Sequence, residues 1–325
     1  MTAQRTARWL LPSLLFCCGP EGELAAQAPT FPVSVLVFYD ENANGVLDAG
    51  EDVRLPNVDV AAVGVTTRTS ATGVATLSLP GGEQRITVVQ ASLPAYYTSA
   101  AAAILTVPQQ TQVLLPVTLP LGAGRRPNTY MAFGDSITLG DGSRDRTGYR
   151  GILEADLRAQ FGRAEILTEG VEGTMSRTGV ERLEEALPRD RPAFVLIHYG
   201  TNDWNAVDCK GPVTPPCFTV ASLRAMVRQV KAQGSLPVLA TIIPTNVGYD
   251  ARVPEERNDW VRGVNVWIRA MAAEEGCIVA DTWQAFVSAG VDARLFSDHV
   301  HPNDAGYRLM ANAFFEALTK PRPQP

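Results

Sequence analysis

The sequence predicts two architectures in tandem. An all-β region spans about residues 30–120, and an α/β domain spans 129–320 with a five-stranded parallel sheet between two helical layers. Three observations carry this. After residue 129, near-continuous apolar runs of strand length alternate with segments of helical periodicity, as strands buried on both faces require. Before residue 120, short β-rich runs alternate with turn residues. Between the two, residues 121–128 concentrate Gly122, Gly124, Arg125, Arg126 and Pro127, which reads as a linker.

The chain has 325 residues, 46% hydrophobic and 19% charged, enough for two ordinary cores. A net charge of −6 leaves no basic footprint, so nucleic acid is not an expected partner. No apolar run reaches the roughly 20 residues that span a bilayer.

Residues 1–28 read as an export signal. Arg5 and Arg8 precede an apolar stretch over 9–18, and small residues follow at Ala25, Ala26 and Ala28. Cleavage after Ala26 is expected, giving a secreted, periplasmic or cell-surface protein. Cys17 and Cys18 raise a lipid-anchor alternative, although bulky Phe16 makes a poor attachment site. Cys209 and Cys217 flank a loop rich in proline and are expected to form a disulfide, the alternative being two free thiols. Cys277 lies in an apolar run and reads as a buried small hydrophobe.

In the all-β region, a strand over 33–39 runs into a twelve-residue loop, 40–51. Oxygen-bearing side chains fall at loop positions one, three, five, nine and twelve: Asp40, Asn42, Asn44, Asp48 and Glu51. Gly45 at position six permits a sharp turn, and Val46 at seven offers a carbonyl. That is calcium-loop spacing. An entering strand and Pro56 after the exit disfavour flanking helices. Further strands are expected over 58–65, 74–79, 85–89 and 113–119, which makes a small β-sandwich. The pattern resembles the B-type repeats of bacterial serine-aspartate surface adhesins and related extracellular Ig-like modules. The resemblance implies an Ig-like sandwich with a structural calcium ion; an Asx-turn-rich loop without metal is the alternative.

In the α/β domain, strands are expected over 130–133, 164–167, 193–198, 236–243 and 277–280. Helical periodicity is clearest over 257–273, where Val261, Val264, Ile268 and Met271 share one face, and recurs over 148–161, 220–232 and 305–319. Ligands of such sheets gather beyond the strands' carboxyl ends. Ser136 follows the first strand, and Gly173 lies in the segment after the second. Asn202 follows the third, and Asp298 and His301 stand three apart near the C-terminus. A serine entering a helix N-terminus, a glycine permitting close approach, an amide donor and a carboxylate–imidazole pair are the parts of nucleophilic acyl transfer.

These four blocks, Gly-Asp-Ser-Ile at 134–137, Gly-Val-Glu-Gly at 170–173, Gly-Thr-Asn-Asp at 200–203 and Asp-His-Val-His-Pro at 298–302, resemble the SGNH/GDSL hydrolases over about 128–318. The resemblance implies the SGNH-type α/β/α fold, Ser136 as nucleophile, His301 as general base and Asp298 as its orienting acid. The Ser136 N–H, the Gly173 N–H and the Asn202 amide would form the oxyanion hole. No catalytic cofactor is implied. The expected substrate is a small-molecule or polysaccharide ester, with acetyl esters of carbohydrate favoured. Lipase, lysophospholipase, arylesterase or acyltransferase activity is the alternative, and a non-catalytic adhesin-like protein a further one. The absence of a Gly-x-Ser-x-Gly elbow disfavours a standard α/β-hydrolase.

Other polar residues near these blocks have plainer readings. His299 is a rival base, His198 a core residue within a strand, and Asp135 and Asp203 orient backbone in their own turns. Thr138 supports the nucleophile loop, and Trp204 lines a pocket or packs on the surface.

Overall fold

Val33, Val35 and Val37 alternate inward along Thr30–Tyr39 (β1), the period of two that buries one face of a strand. The structure, a computed structural model, describes residues 28–100, 102–210, 217–251 and 253–321. The expected export signal over 1–28, with Cys17 and Cys18, therefore lies outside the described residues, Ala28 apart. β1 pairs antiparallel with Val74–Pro80 (β4) and parallel with Gln112–Val117 (β7), giving the order β4-β1-β7. A second, antiparallel sheet joins Val65–Arg68 (β3), Asp59–Ala62 (β2), Gly82–Val88 (β5) and Ala102–Val107 (β6) in that order. Val35, Leu77 and Leu115 from one sheet share a core with Val60, Ile86 and Leu105 from the other. The run expected as one strand over 58–65 is two, because Val63 and Gly64 both take positive φ and turn the chain into a hairpin. β6 was not legible, since its exposed Ile104 breaks the alternation.

The segment expected as a linker packs against the α/β region. Gly122 N–H donates to Gly234 O at 2.8 Å, and the two glycines approach so closely that a Cβ on Gly122 would lie 2.9 Å from the Gly234 Cα. From Arg126 the chain is already strand: Arg126–Gly134 (β8) opens a five-stranded sheet. Its other strands are Glu165–Gly170 (β9), Pro192–His198 (β10), Leu236–Ala240 (β11) and Ile278–Ala280 (β12). All neighbours are parallel and the order is β12-β11-β10-β8-β9. Chain order reverses between β8 and β10, so the crevice past their carboxyl ends is the topological switch point.

Helices cover both faces. Tyr149–Phe161 (α2), Thr282–Ser288 (α6) and Asp304–Thr319 (α7) bury Leu153, Phe286 and Phe314 on the face that also meets the β-rich region. Ser176–Asp190 (α3), Thr219–Ala232 (α4) and Glu255–Glu274 (α5) bury Leu183, Leu223, Val264 and Ile268 on the other. A single turn, Ser136–Leu139 (α1), follows β8. α3 escapes a propensity reading because Gly179 and Pro188 interrupt it. Gly179 has a packing reason: a Cβ there would lie 2.8 Å from the Tyr199 ring. Residues 241–243, expected as strand, lie past the end of β11, where Thr241 N–H still donates to Ala280 O at 3.1 Å.

The β-rich region is fastened to this domain. Tyr96 Oη donates to Pro237 O at 2.8 Å, Tyr97 packs on Phe161, and Glu41 accepts from Asn128 at 2.6 Å and pairs with Arg163 at 3.3 Å. Apolar residues of both regions belong to one continuous core. Cys209 and Cys217 form a disulfide, and Cys277 is buried and free. Among the described residues no helix is long and apolar enough to cross a membrane.

Candidate active site

β8 ends at Gly134, and Asp135 caps the turn that follows by accepting the Ile137 N–H at 3.0 Å. Ser136 is thereby the first helical residue of α1, where its N–H has no intrahelical acceptor. Its Oγ lies 2.9 Å from His301 Nε2, and His301 Nδ1 lies 2.7 Å from Asp298 Oδ2. The other Asp298 oxygen accepts the N–H groups of Val300 and His301, both at 2.8 Å, which closes residues 298–301 into a tight turn. Asn303 caps α7 and fixes that turn from below, accepting from Ala305 and Gly306 and donating to Arg294 O at 2.7 Å. Burial raises the Asp298 carboxyl, but the hydrogen bonds from His301 and Val300 outweigh it and leave the group below the usual range. An ionised Asp298 holds the Nδ1 proton, so Nε2 presents its lone pair to Ser136.

The segment after β9 carries Gly173 at φ +69°, a conformation that suits glycine. No atom lies within 4 Å of where its Cβ would be, and no hydrogen bond among the described residues uses its N–H. After β10, Asn202 Nδ2 donates to Thr174 O at 3.1 Å and stands 3.5 Å from Asp135 Oδ2. The three blocks are thus linked across adjacent strand ends β9, β8 and β10.

Asp135 and Asp203 behave differently from each other. Asp135 caps its own turn, as expected, and also accepts from Asn202 Nδ2 at 3.5 Å; full burial pushes its carboxyl up to about 7. Asp203 reaches outside its turn: it accepts the Ser176 N–H and hydroxyl at 2.8 and 2.6 Å and the Thr219 hydroxyl at 2.7 Å. It therefore ties the start of α3 to the start of α4. His299 Nδ1 lies 3.6 Å from Asp298 Oδ1, but the imidazole that meets Ser136 is His301. His198 is fully buried at the end of β10, and burial depresses it to about 4. Trp204 meets Trp260 edge-on at 5.8 Å, and half-exposed Tyr249 lies against His299. Cavities of about 650 and 610 Å³ lie elsewhere, and none of Ser136, Gly173, Asn202 and His301 lines either.

In the 40–51 loop, Asp40 accepts the Asn44 and Gly45 N–H groups, at 3.2 and 2.7 Å. Glu51 accepts from Glu41 and Asp48, at 2.8 and 3.0 Å. The amides of Asn42 and Asn44 both donate to Asp48 Oδ2, at 2.8 and 2.7 Å. Val46 is exposed at the tip, and its N–H donates to Asn44 Oδ1. Among the described residues no group of three or more His, Cys, Asp and Glu side chains is set to hold a metal ion.

Sheet order, a serine at a strand-to-helix turn and an imidazole–carboxylate pair facing it define an α/β hydrolase of the GDSL type. The chain belongs to the GDSL-like lipase/acylhydrolase family, whose profile matches residues 132–309. It is a carboxylic ester hydrolase. It is 26% identical to Esterase TesA of Pseudomonas aeruginosa over 188 residues, 57% of this chain and 86% of that protein. The lipase/acylhydrolase structure from Enterococcus faecalis is 21% identical with a TM-score of 0.50, covering 61% of this chain and all of that one, a likeness of fold. An acetyl xylan esterase structure from Geobacillus stearothermophilus is 23% identical with a TM-score of 0.49, covering 64% of this chain and 100% of that one.

Proposed function

We propose that the protein cleaves small acyl esters, acetyl esters of carbohydrate above all, with Ser136 as nucleophile, His301 as general base and Asp298 as its orienting acid. The observation that carries this is the unbroken chain from Ser136 Oγ through His301 to Asp298, at 2.9 and 2.7 Å. Ser136 Oγ attacks the ester carbonyl carbon as its proton passes to His301 Nε2. The Ser136 N–H, the Gly173 N–H and the Asn202 Nδ2 proton that otherwise reaches Asp135 Oδ2 at 3.5 Å receive the oxyanion. His301 returns the proton to the departing alkoxide, and the alcohol leaves. A water then gives its proton to Nε2 and attacks the acyl-enzyme. The carboxylic acid leaves and Ser136 regains its proton.

Polar groups around the three donors favour a short acyl group. Asp135, Thr174, Tyr199 and Asp203 are hydrogen-bonded among the same loops, where a fatty chain would need an apolar channel. Trp204 beside the Asn202 block and Tyr249 beside His299 offer aromatic faces for a sugar ring. Release of acetate from O-acetylated xylan, with p-nitrophenyl acetate preferred over the palmitate by about tenfold or more in kcat/KM, is expected. Faster cleavage of the palmitate would overturn the short-acyl reading.

Export from the cytosol fits the Cys209–Cys217 disulfide. We also read β1 to β7 as an Ig-like accessory module whose 40–51 loop takes a calcium ion. Asp40 and Glu51 are buried carboxylates that accept backbone N–H groups of the loop, and a divalent cation would supply the balancing charge through Asp40, Asn42, Asn44, Asp48, Glu51 and the Val46 carbonyl.

A further inference from the structure

A single guanidinium lies against the ends of all three strands that feed the proposed oxyanion hole. Arg182 sits in the second turn of α3, the helix that starts directly after the Gly173 segment. Its Nη1 donates to Gly134 O, at the end of β8, at 3.2 Å. Its Nη2 donates to Glu169 O, near the end of β9, at 2.9 Å. Nη1 also donates to the hydroxyl of Tyr199, the residue after β10, in a short contact. The group stacks over the Phe133 ring at 5.0 Å and is four-fifths buried. Glu169 Oε2, at 3.7 Å, supplies a counter-charge.

The directions of the hydrogen bonds continue from this cation to Asn202. Arginine has only donors, so the Tyr199 oxygen accepts and its own proton is free to point onward. Thr174 Oγ1 lies 3.2 Å from that oxygen and gives its proton to Val171 O at 2.7 Å, so Tyr199 donates to Thr174. The Thr174 carbonyl in turn accepts Asn202 Nδ2 at 3.1 Å. Val171 N–H donates back to Gly134 O at 3.1 Å, which closes the circuit on the nucleophile strand. Gly179 lets α3 approach Tyr199 closely enough for this contact.

We infer that Arg182 is the positioning residue of the oxyanion hole: it fixes the Ser136, Gly173 and Asn202 donors relative to one another while touching no substrate. The inference rests on the proposed roles of those donors. Three acceptors, two on strands and one on the residue after a third, call for a planar fork of N–H groups, which an ammonium on a single stem does not match. Charge-assisted bonds also hold a loop harder than neutral ones. Oxyanion donors act through pre-alignment with charge that appears only in the transition state. Misalignment should therefore reduce kcat and leave KM almost unchanged.

The test compares full-length wild type, Ser136→Ala, Arg182→Lys, Arg182→Ala and Tyr199→Phe on p-nitrophenyl acetate, with circular dichroism as the check on folding. Both Arg182 variants should lose about 10- to 100-fold in kcat with KM within about twofold, and Tyr199→Phe about 3- to 10-fold, because a displaced donor costs less than a deleted one. Millimolar ethylguanidinium should restore part of the Arg182→Ala loss and leave wild type unchanged. A folded Arg182→Lys with wild-type kcat, a loss confined to KM, or a kcat loss indifferent to ethylguanidinium would overturn the inference. If Arg182→Ala does not fold, the lysine variant and Tyr199→Phe decide alone. Wild type turning over with unchanged Arg182 variants removes this role only, whereas an inactive wild type removes the ester-hydrolysis reading together with it.

Discussion

The Asp203 carboxylate holds Ser176 twice, accepting its N–H at 2.8 Å and its hydroxyl at 2.6 Å, and so joins the third sequence block to the helix that follows the second. The proposed Gly173 and Asn202 donors are therefore held against each other by side-chain bonds as well as by the sheet. Asp203→Asn keeps the shape but replaces one acceptor with a donor facing Ser176 and Thr219. A loss of about 1–3 kcal/mol in urea unfolding and a fall in kcat larger than any change in KM are expected. Wild-type kcat in a destabilised variant would confine Asp203 to stability.

Gly173→Ala separates conformation from space. Its φ of +69° strains any other residue, yet nothing within 4 Å would clash with the added methyl. A stability cost of about 1 kcal/mol is expected from backbone strain alone. Activity should fall by more than that cost implies, by about tenfold or more in kcat/KM, because strain at this φ would turn the proposed Gly173 N–H donor out of line. Equal activity would remove Gly173 from the oxyanion hole.

Two buried groups give stability a pH dependence of opposite sign. His198 is depressed from 6.5 to about 4, so the unfolded chain binds the extra proton between those values, and its contribution is full above 6.5 and lost as pH falls toward 4. Asp135 is raised from 3.8 to about 7, so the folded chain binds the extra proton, and its contribution is full below 3.8 and lost as pH rises toward 7. Each slope is about 1.4 kcal/mol per pH unit, and the two nearly cancel across their overlap. His198→Leu should uncover the Asp135 slope. The variant's stability relative to wild type should improve by about 2–3 kcal/mol between about pH 7 and about pH 4.5 in urea unfolding. A pH-independent difference would contradict a neutral buried His198.

Calcium should raise the melting temperature of wild type by several degrees, and EGTA should reverse it. Asp40→Ala should abolish the response, since Asp40 is buried at the first loop position. Because Glu41 in the same loop bonds Asn128 and pairs with Arg163 of the α/β domain, the shift should appear in the transition that also abolishes esterase activity. Identical melting in calcium and EGTA would leave the loop without a metal.

The parallel sheet was legible because β10 and β11 are continuous apolar runs, and α5 because four residues repeat on one face. Ser136, Asn202 and His301 were legible for another reason. Each sits just past a strand or before a helix, where chemistry in such sheets must gather. Arg182 was not: it lies mid-helix among charged neighbours, and only the fold turns it toward three strand ends. Asp203 could be read as a turn former, but its partners lie 27 and 16 residues away, beyond local pattern. The contact that the expected linker over 121–128 makes was hidden for a related reason. Gly122 looks permissive in sequence, while its lack of a side chain serves close contact with Gly234.

Ser136, activated by His301, is proposed to form a covalent acyl-enzyme. Intact-mass measurement after treatment with a fluorophosphonate probe tests it most directly. One equivalent of adduct, mapped to Ser136 by peptide sequencing, is expected in wild type, with none in Ser136→Ala and slowed labelling in His301→Ala. Labelling that persists in folded Ser136→Ala, or maps to another residue, would contradict the account.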